Sequence, residues 1–412
     1  MSVVTINPDK TISIDGKKTF PIGMSHICAP YYPLTNCVQN TNVNSNALFS
    51  ELTGDSSYRT NVVMPAYNSK NILFTEHAWT TTPDIIKNNS GLFAYLQWDE
   101  PTLGSGIYKD YTTEEQMLAH LLKSYNNKKT NDPAHPVIIN HWTKMTKWLP
   151  YGDIMMWDTY TITHHSWQVG VWTREDAIYA WELASWNNYF QGTELNQISK
   201  PVWTYIQANI DDPSWSGYEP TPQEARANTY AAITLDVKGI EYFGYMVMGD
   251  WSHVETITGV YSNQTLAAYY NALMGEIQFL NDILVLPTLD YSWHYHPGTK
   301  VSFSKKYTKN VYWVDTTNFN YILKQDGKKY YLIILNKDRR SISDVTVTIS
   351  GLSGIMTATT IGNIDAGSIP GRTLPVTDGQ FTDSFDGLAV HIYEIGSDIP
   401  CPQSQCDFTI TQ

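Results

Sequence analysis

Six short segments hold the side chains that could do chemistry. They are Glu76-His77, Trp98-Asp99-Glu100, Asn140-His141-Trp142, Asp158-Thr159-Tyr160, Gln207 and Asp250-Trp251. Each follows a short apolar or aromatic run, so all six are expected at strand ends. Two carboxyls, one protonated and one ionised, can give a proton to a leaving oxygen and assist attack on the carbon left behind. Amides can hold hydroxyls, and indole faces can stack on sugar rings. Hydrolysis of a glycosidic bond needs this mixture.

Glu100 is the candidate general acid, its pKa raised by the Asp99 charge and the Trp98 wall. The competing role is a salt-bridged or capping acidic pair before Pro101. Asp158 is the preferred base or nucleophile, against a structural bond to a loop backbone, with Asp99 as modulator. Asp250 and Glu76 are the other rim carboxylates, and Glu76 with His77 reads as a polar sugar contact. Tyr160 and Gln207 are candidate substrate-binding residues. Trp142 and Trp251 are the preferred sugar platforms and Trp98 a further one, whereas Trp157 falls inside its run and reads as core.

Other chemistries lack their residues. There is no H-E-x-x-H, and the cysteine pairs Cys28/Cys37 and Cys401/Cys406 do not have C-x-x-C spacing, so no metal is expected. No G-x-S-x-G elbow and no Gly-rich phosphate loop follows a strand, and no cofactor is implied. The net charge of −13 disfavours a nucleic-acid partner. No apolar stretch approaches the roughly 20 residues of a membrane span. Charged residues are 16% of the chain, against the usual value of about a quarter, so its polar surface is largely neutral and suits a neutral oligo- or polysaccharide.

The cysteines read as two short disulfide loops of an oxidising compartment, and Asn88-Asn89-Ser90 and Asn263-Gln264-Thr265 are glycosylation sequons. Both favour an extracellular or cell-surface protein. The start, Met1-Ser2-Val3-Val4, has no leader character, so either a leader is absent from this sequence or the protein is not exported.

Elements that would position the site follow from the spacing of the apolar runs. Eight lie between Phe20 and Tyr245: 20–24, 61–64, 71–74, 92–96, 137–139, 153–157, 202–206 and 240–245. Continuous runs of this kind match strands buried on both faces of a parallel barrel. Helices are predicted from Thr113, over Arg174–Trp186, and from Thr221-Pro222 to about Thr234. The second and third runs stand too close for a full crossover helix. Strand eight is expected to deliver Met248-Gly249-Asp250-Trp251 to the rim. Past His294 the texture changes to alternating strands, among them 310–314, 330–336, 345–349 and 389–395, with turns at Asp326-Gly327 and Asp378-Gly379. The fold class is α/β: a TIM (β/α)8 barrel over 1–292, a small antiparallel β-sandwich over 293–398, and a Cys-bracketed tail over 399–412.

Leu92 to Pro101 resembles the fourth strand of the large clan of (β/α)8-barrel glycoside hydrolases, whose general acid is a Glu at that strand end. Asp153–Tyr160 resembles their sixth strand, Lys200–Trp203 their seventh, and Asp378–Phe385 with Ala389–Tyr393 the close of their C-terminal sandwich. The resemblance implies a glycosidase with Glu100 as acid. It also implies a nucleophilic Glu at the end of strand seven, where this chain has Gln207. Three expectations accommodate the amide: another rim carboxylate acts, the substrate's acetamido group acts, or the barrel only binds glycans or serves as a structural surface or appendage protein. A homo-oligomer or surface assembly belongs to the last of these.

Overall fold

A computed structural model describes residues 3–28, 40–43, 45–52, 56–77, 86–97, 99–101, 111, 113–141, 143–162, 174–208, 219–244, 247–248, 257–258, 263–293, 295–311, 314–362 and 371–396. Two compact units divide them. The first draws on Met1–Tyr160, Ala184–Glu219 and Val237–Met274, the second on Thr161–Leu183, Pro220–Asp236 and Gly275–Gln412.

The first unit begins with a three-stranded antiparallel sheet, β1 (Val4–Ile6), β2 (Ile12–Ile14) and β3 (Lys17–Thr19). Eight parallel strands then close a barrel: β4 (Ile22–Met24), β5 (Phe49–Glu51), β6 (Leu73–His77), β7 (Leu92–Leu96), β8 (Val137–His141), β9 (Ile154–Asp158), β10 (Val202–Gln207) and β11 (Ile240–Phe243). Seven of the eight predicted runs supply a barrel strand. The exception is 61–64, which is helical: a π-turn over Arg59–Val63 runs into α1 (Met64–Ser69). Its place is taken by Phe49-Ser50-Glu51, whose three residues are too few to show a period. The connection expected to be too short is therefore a helical crossover from β5 to β6. The abbreviated one lies between β8 and β9, where the described residues make two single 3-10 turns, Met145–Lys147 and Leu149–Tyr151.

Local signals set the longer helices. α2 (Glu114–Asn131) is capped by the Thr113 side chain, which accepts from the Gln116 N–H. α3 (Ala177–Ser185) follows a 3-10 turn at Arg174–Asp176. α4 (Pro222–Thr234) starts with a reciprocal capping box between Thr221 and Glu224. α5 (Gln264–Phe279) follows the barrel, with Asn263 Oδ1 accepting from the Leu266 N–H, and a short α6 (Asn281–Leu284) comes after it.

Aromatic packing fills the barrel. Phe93 stacks on Phe49 at 5.1 Å between ring centroids and on Trp203 at 5.8 Å. Ile138, Ile154 and Met156 complete this layer, and Val4 and Ile12 of the small sheet pack against it. Gly23 makes room for the stack, since a Cβ there would fall 2.6 Å from the Phe49 ring. Gly23→Ala is expected to cost about 1–3 kcal/mol by overpacking, measured by urea denaturation.

Beyond the barrel, β12 (Val247–Met248) pairs with β13 (Ile257–Thr258) as a two-stranded ribbon. Strand eight thus ends at Phe243 rather than at Met248, and this corrects the expected strand-eight rim. In the second unit, β14 (Thr288–Ser292), β15 (Val301–Phe303), β18 (Phe319–Asp326), β19 (Lys329–Asn336), β20 (Ile342–Ile349), β21 (Ile355–Thr360), β22 (Thr373–Thr377), β23 (Gln380–Phe385) and β24 (Val390–Gly396) form one antiparallel sheet. Its order is β14-β18-β19-β24-β21-β22-β23-β20-β15, and it folds round a core that includes Leu332, Ile334, Val345, Val347 and Tyr393. The run read as one strand at 310–314 is two, β16 (Thr308–Val311) and β17 (Val314–Thr317), paired as a separate ribbon. Asp378 and Gly379 both take positive φ and make the predicted tight turn between β22 and β23.

Candidate active site

Alternation along each strand decides what reaches the barrel interior. Ile154 and Met156 of β9 face inward, which carries Asp158 to the same side at the C-terminal end. Ile138 does the same for Asn140 on β8, Phe49 for Glu51 on β5, and Trp203 for Tyr205 and Gln207 on β10. On β11, Glu241 lies in register with Tyr205 on one neighbour and with Gly23 on the other. A polar, acidic layer therefore sits above the aromatic one, at the end where parallel barrels place their chemistry.

Two groups make up that layer. In the first, Glu100 and Asp158 share a hydrogen bond between their carboxyls, and Tyr160 also bonds Asp158. Burial, then the charges of Asp158 and Asp99, hold the Glu100 carboxyl well above the ordinary range. Burial and then Asp99 raise Asp158 as well. Asp99 is exposed and takes a 2.8 Å hydrogen bond from Asn140 Nδ2 on Oδ1. Tyr189 donates to the Asp158 carbonyl. Glu100 has φ of +39° directly before Pro101, a conformation that costs energy for any residue with a Cβ.

The second group was not foreseen. Tyr205 donates to Glu51 Oε1 at 2.5 Å, and His26 Nε2 lies 3.1 Å from Glu51 Oε2. Glu241 is buried, and burial, followed by the Glu51 charge, pushes its carboxyl far up. The Asp99 charge reaches Glu241 and Tyr205 too, so the two groups form one continuous field. Phe243, half-buried, stacks on Tyr160 at 5.5 Å and meets Tyr205 edge-on at 6.0 Å. These two rings form an aromatic wall at the mouth. A carboxyl inside the otherwise apolar run 240–245 was the available signal for Glu241. For Glu51 there was none once the second strand had been placed elsewhere.

Of the residues singled out from sequence, Glu100, Asp158, Asp99 and Tyr160 come together. Gln207 is buried at the end of β10, and its carbonyl accepts from the Tyr270 hydroxyl. Glu76, read from the sequence as a polar sugar contact, is buried in an ion pair with Arg59 from the π-turn. His77 ends β6, with its side chain outside the described residues, as are Trp98, Trp142, Asp250 and Trp251. Among the described residues no group of three His, Cys, Asp or Glu is placed to hold a metal ion. No helix among them is long and apolar enough to cross a membrane.

No protein-family model and no curated protein sequence matches the chain. Its structure is similar to one described as a glycoside hydrolase, with a TM-score of 0.57 at 12% identity over 96% of this chain and 97% of that one. It is also similar to an arabinofuranosidase, with a TM-score of 0.51 at 10% identity over 96% and 100%. The chain shares its fold, a closed parallel barrel with an antiparallel sheet, with these two proteins. A family 30 subfamily 8 xylanase from Clostridium acetobutylicum aligns at a TM-score of 0.49 and 11% identity over 92% and 96%. At such identities the fold alone is what is shared, and activity has to be argued from the site.

Proposed function

We propose that the chain hydrolyses a glycosidic bond at the C-terminal mouth of its barrel, with Glu100 as proton donor. What carries this reading is the hydrogen-bonded Glu100–Asp158 pair beside the exposed Asp99. Two carboxyls in contact cannot both ionise readily, so the pair holds one proton where a leaving oxygen can take it. Entry of the glycosidic oxygen parts them. Glu100 gives its proton to that oxygen as the bond to the anomeric carbon breaks. Water adds to the carbon and passes a proton to Asp158, which leaves one proton on the pair again. Asp99 modulates both groups, and Tyr160 with Phe243 supplies the face against which a sugar ring lies.

A second reading keeps the barrel as a non-catalytic glycan binder or a structural surface element, alone or in a homo-oligomer. Gln207 favours it, because an amide at the end of strand seven cannot form a glycosyl ester. Hydrolysis of a panel of aryl glycosides and polysaccharides, N-acetylhexosaminides included, decides between the two. Turnover by the wild type that is lost in Asp158→Asn is the expected outcome. Sugar binding without turnover supports the second reading.

The same reading places the protein outside the cell or at its surface, with Cys28–Cys37 and Cys401–Cys406 as disulfide loops. Cys28 is buried and is not a free thiol, while the other three lie outside the described residues. Of the two sequons, Asn88 is exposed. Asn263 caps α5 and donates to Glu219, bonds that a glycan would break, so Asn88 is the acceptor in this reading.

A further inference from the structure

We propose that the inner end of this cleft binds a protonated amine, so that the sugar it takes carries an amino group. The inference rests on the cleft being a carbohydrate site and departs from the neutral saccharide that the low charge content suggested. Three buried oxygens point to the ligand. Glu241 Oε1, Asp158 Oδ1 and Asn140 Oδ1 find no hydrogen-bond partner among the described residues, although these residues are only 1%, 7% and 1% exposed. Asn140 is aimed into the acidic group, since its amide nitrogen already serves Asp99. Asp158 Oδ1 and Asn140 Oδ1 are acceptors, Glu241 Oε1 becomes one when its carboxyl ionises, and unsatisfied acceptors at this depth are costly.

The donors nearby are committed. The Tyr205 hydroxyl goes to Glu51, the Asn140 amide to Asp99 and the Tyr160 hydroxyl to Asp158. A neutral sugar hydroxyl brings a single donor, which serves only one of the three oxygens. An ammonium brings three donors and no acceptor. It also brings the missing charge. Glu100, Asp158 and Glu241 share the layer with Glu51 and Asp99, and among the described residues no Lys or Arg forms an ion pair with Glu100, Asp158 or Glu241. A cation beside Glu241 lets its carboxyl ionise next to the Asp99 charge and turns mutual repulsion into charge-assisted hydrogen bonds.

The test is calorimetric titration with three matched β-1,4-linked oligomers: glucosamine, N-acetylglucosamine and glucose. Wild type, Glu241→Gln and Glu100→Gln are compared, with circular dichroism and melting curves for each. The glucosamine oligomer is expected to bind about tenfold or more tighter than the other two. Glu241→Gln is expected to remove that preference, and Glu100→Gln to keep it while losing turnover. Equal affinities, no binding of any oligomer, or a preference that survives in folded Glu241→Gln would each overturn the inference. Turnover of neutral sugars without an amine preference refutes it and leaves the hydrolase reading standing. An amine preference that depends on Glu241, with no turnover, does the reverse.

Discussion

Replacing Glu100 by Gln is expected to lower turnover by about 10²–10⁴-fold, the usual contribution of a positioned general acid. Gln has nearly the same shape and can still donate a hydrogen bond to Asp158, so the cleft geometry should persist. What is lost is the proton. The same exchange should make the folded state more stable at neutral pH. An unfolded Glu ionises near about 4.3, whereas burial and the Asp158 and Asp99 charges keep Glu100 protonated well above that. The unfolded state therefore releases a proton first as pH rises, and wild-type stability falls from about pH 4 up to the folded pKa. Gln carries no such dependence, so the melting temperature of the variant should exceed that of wild type by a margin that widens above about pH 4. The pH–rate profile of the wild type should be a bell. Its acid limb marks protonation of the base in the Glu100–Asp158 pair and its alkaline limb ionisation of the acid, and both limbs belong to the pair. Undiminished turnover in the variant would move the proton donor elsewhere. Lost turnover with a lowered melting temperature would make Glu100 a structural residue.

Legibility in the sequence followed how much of each strand is buried. β7, β8, β9 and β10 are buried along their whole length, so their residues form apolar runs that stand out, and their last residues could be named as rim groups. That brought Asp99, Glu100, Asp158 and Tyr160 into view. β5 is equally buried but only three residues long, and one of them is Glu51. A more apolar neighbour, Asn61–Met64, has the composition of a strand and the geometry of a helix, since its crossover must bury a face too. β11 hid Glu241 for a related reason: between Ile240 and Tyr242 an isolated carboxyl looks like a strand interruption, whereas register with Tyr205 and Gly23 puts it into the barrel. The acidic layer is a product of closure. Residues separated by nearly two hundred positions, Glu51 and Glu241, meet only because the first and last strands pair.

The sandwich offers an effect of comparable size on stability. Asp383, nearly buried on β23, gathers the Tyr393 hydroxyl at 2.6 Å and His391 Nδ1 at 3.1 Å on Oδ2. It also takes Arg372 Nη1 at 2.6 Å on Oδ1 and pairs with Nη2 of the same side chain. His391 is stacked on Phe385 at 4.6 Å, which fixes the ring in this position. Burial alone would raise the Asp383 carboxyl, but the bonds from His391, Arg372 and Tyr393 outweigh it and hold the group well below the usual carboxylate range. Asp383→Ala removes the shared acceptor and leaves a buried hydroxyl and a guanidinium without their partner. A loss of about 3–5 kcal/mol is expected, the range for breaking a buried pair from one side. The pH dependence has the opposite sign to that at Glu100. Here the folded pKa lies below the unfolded value of about 3.9, so the contribution is complete above about pH 4 and is lost as pH falls toward the folded value. Urea unfolding of wild type and Asp383→Ala at pH 3 and pH 7 measures both effects. Wild type should weaken toward pH 3, and the variant should be weaker at pH 7 with a flatter acid limb. Equal acid limbs would show that the stability of this sheet does not run through Asp383.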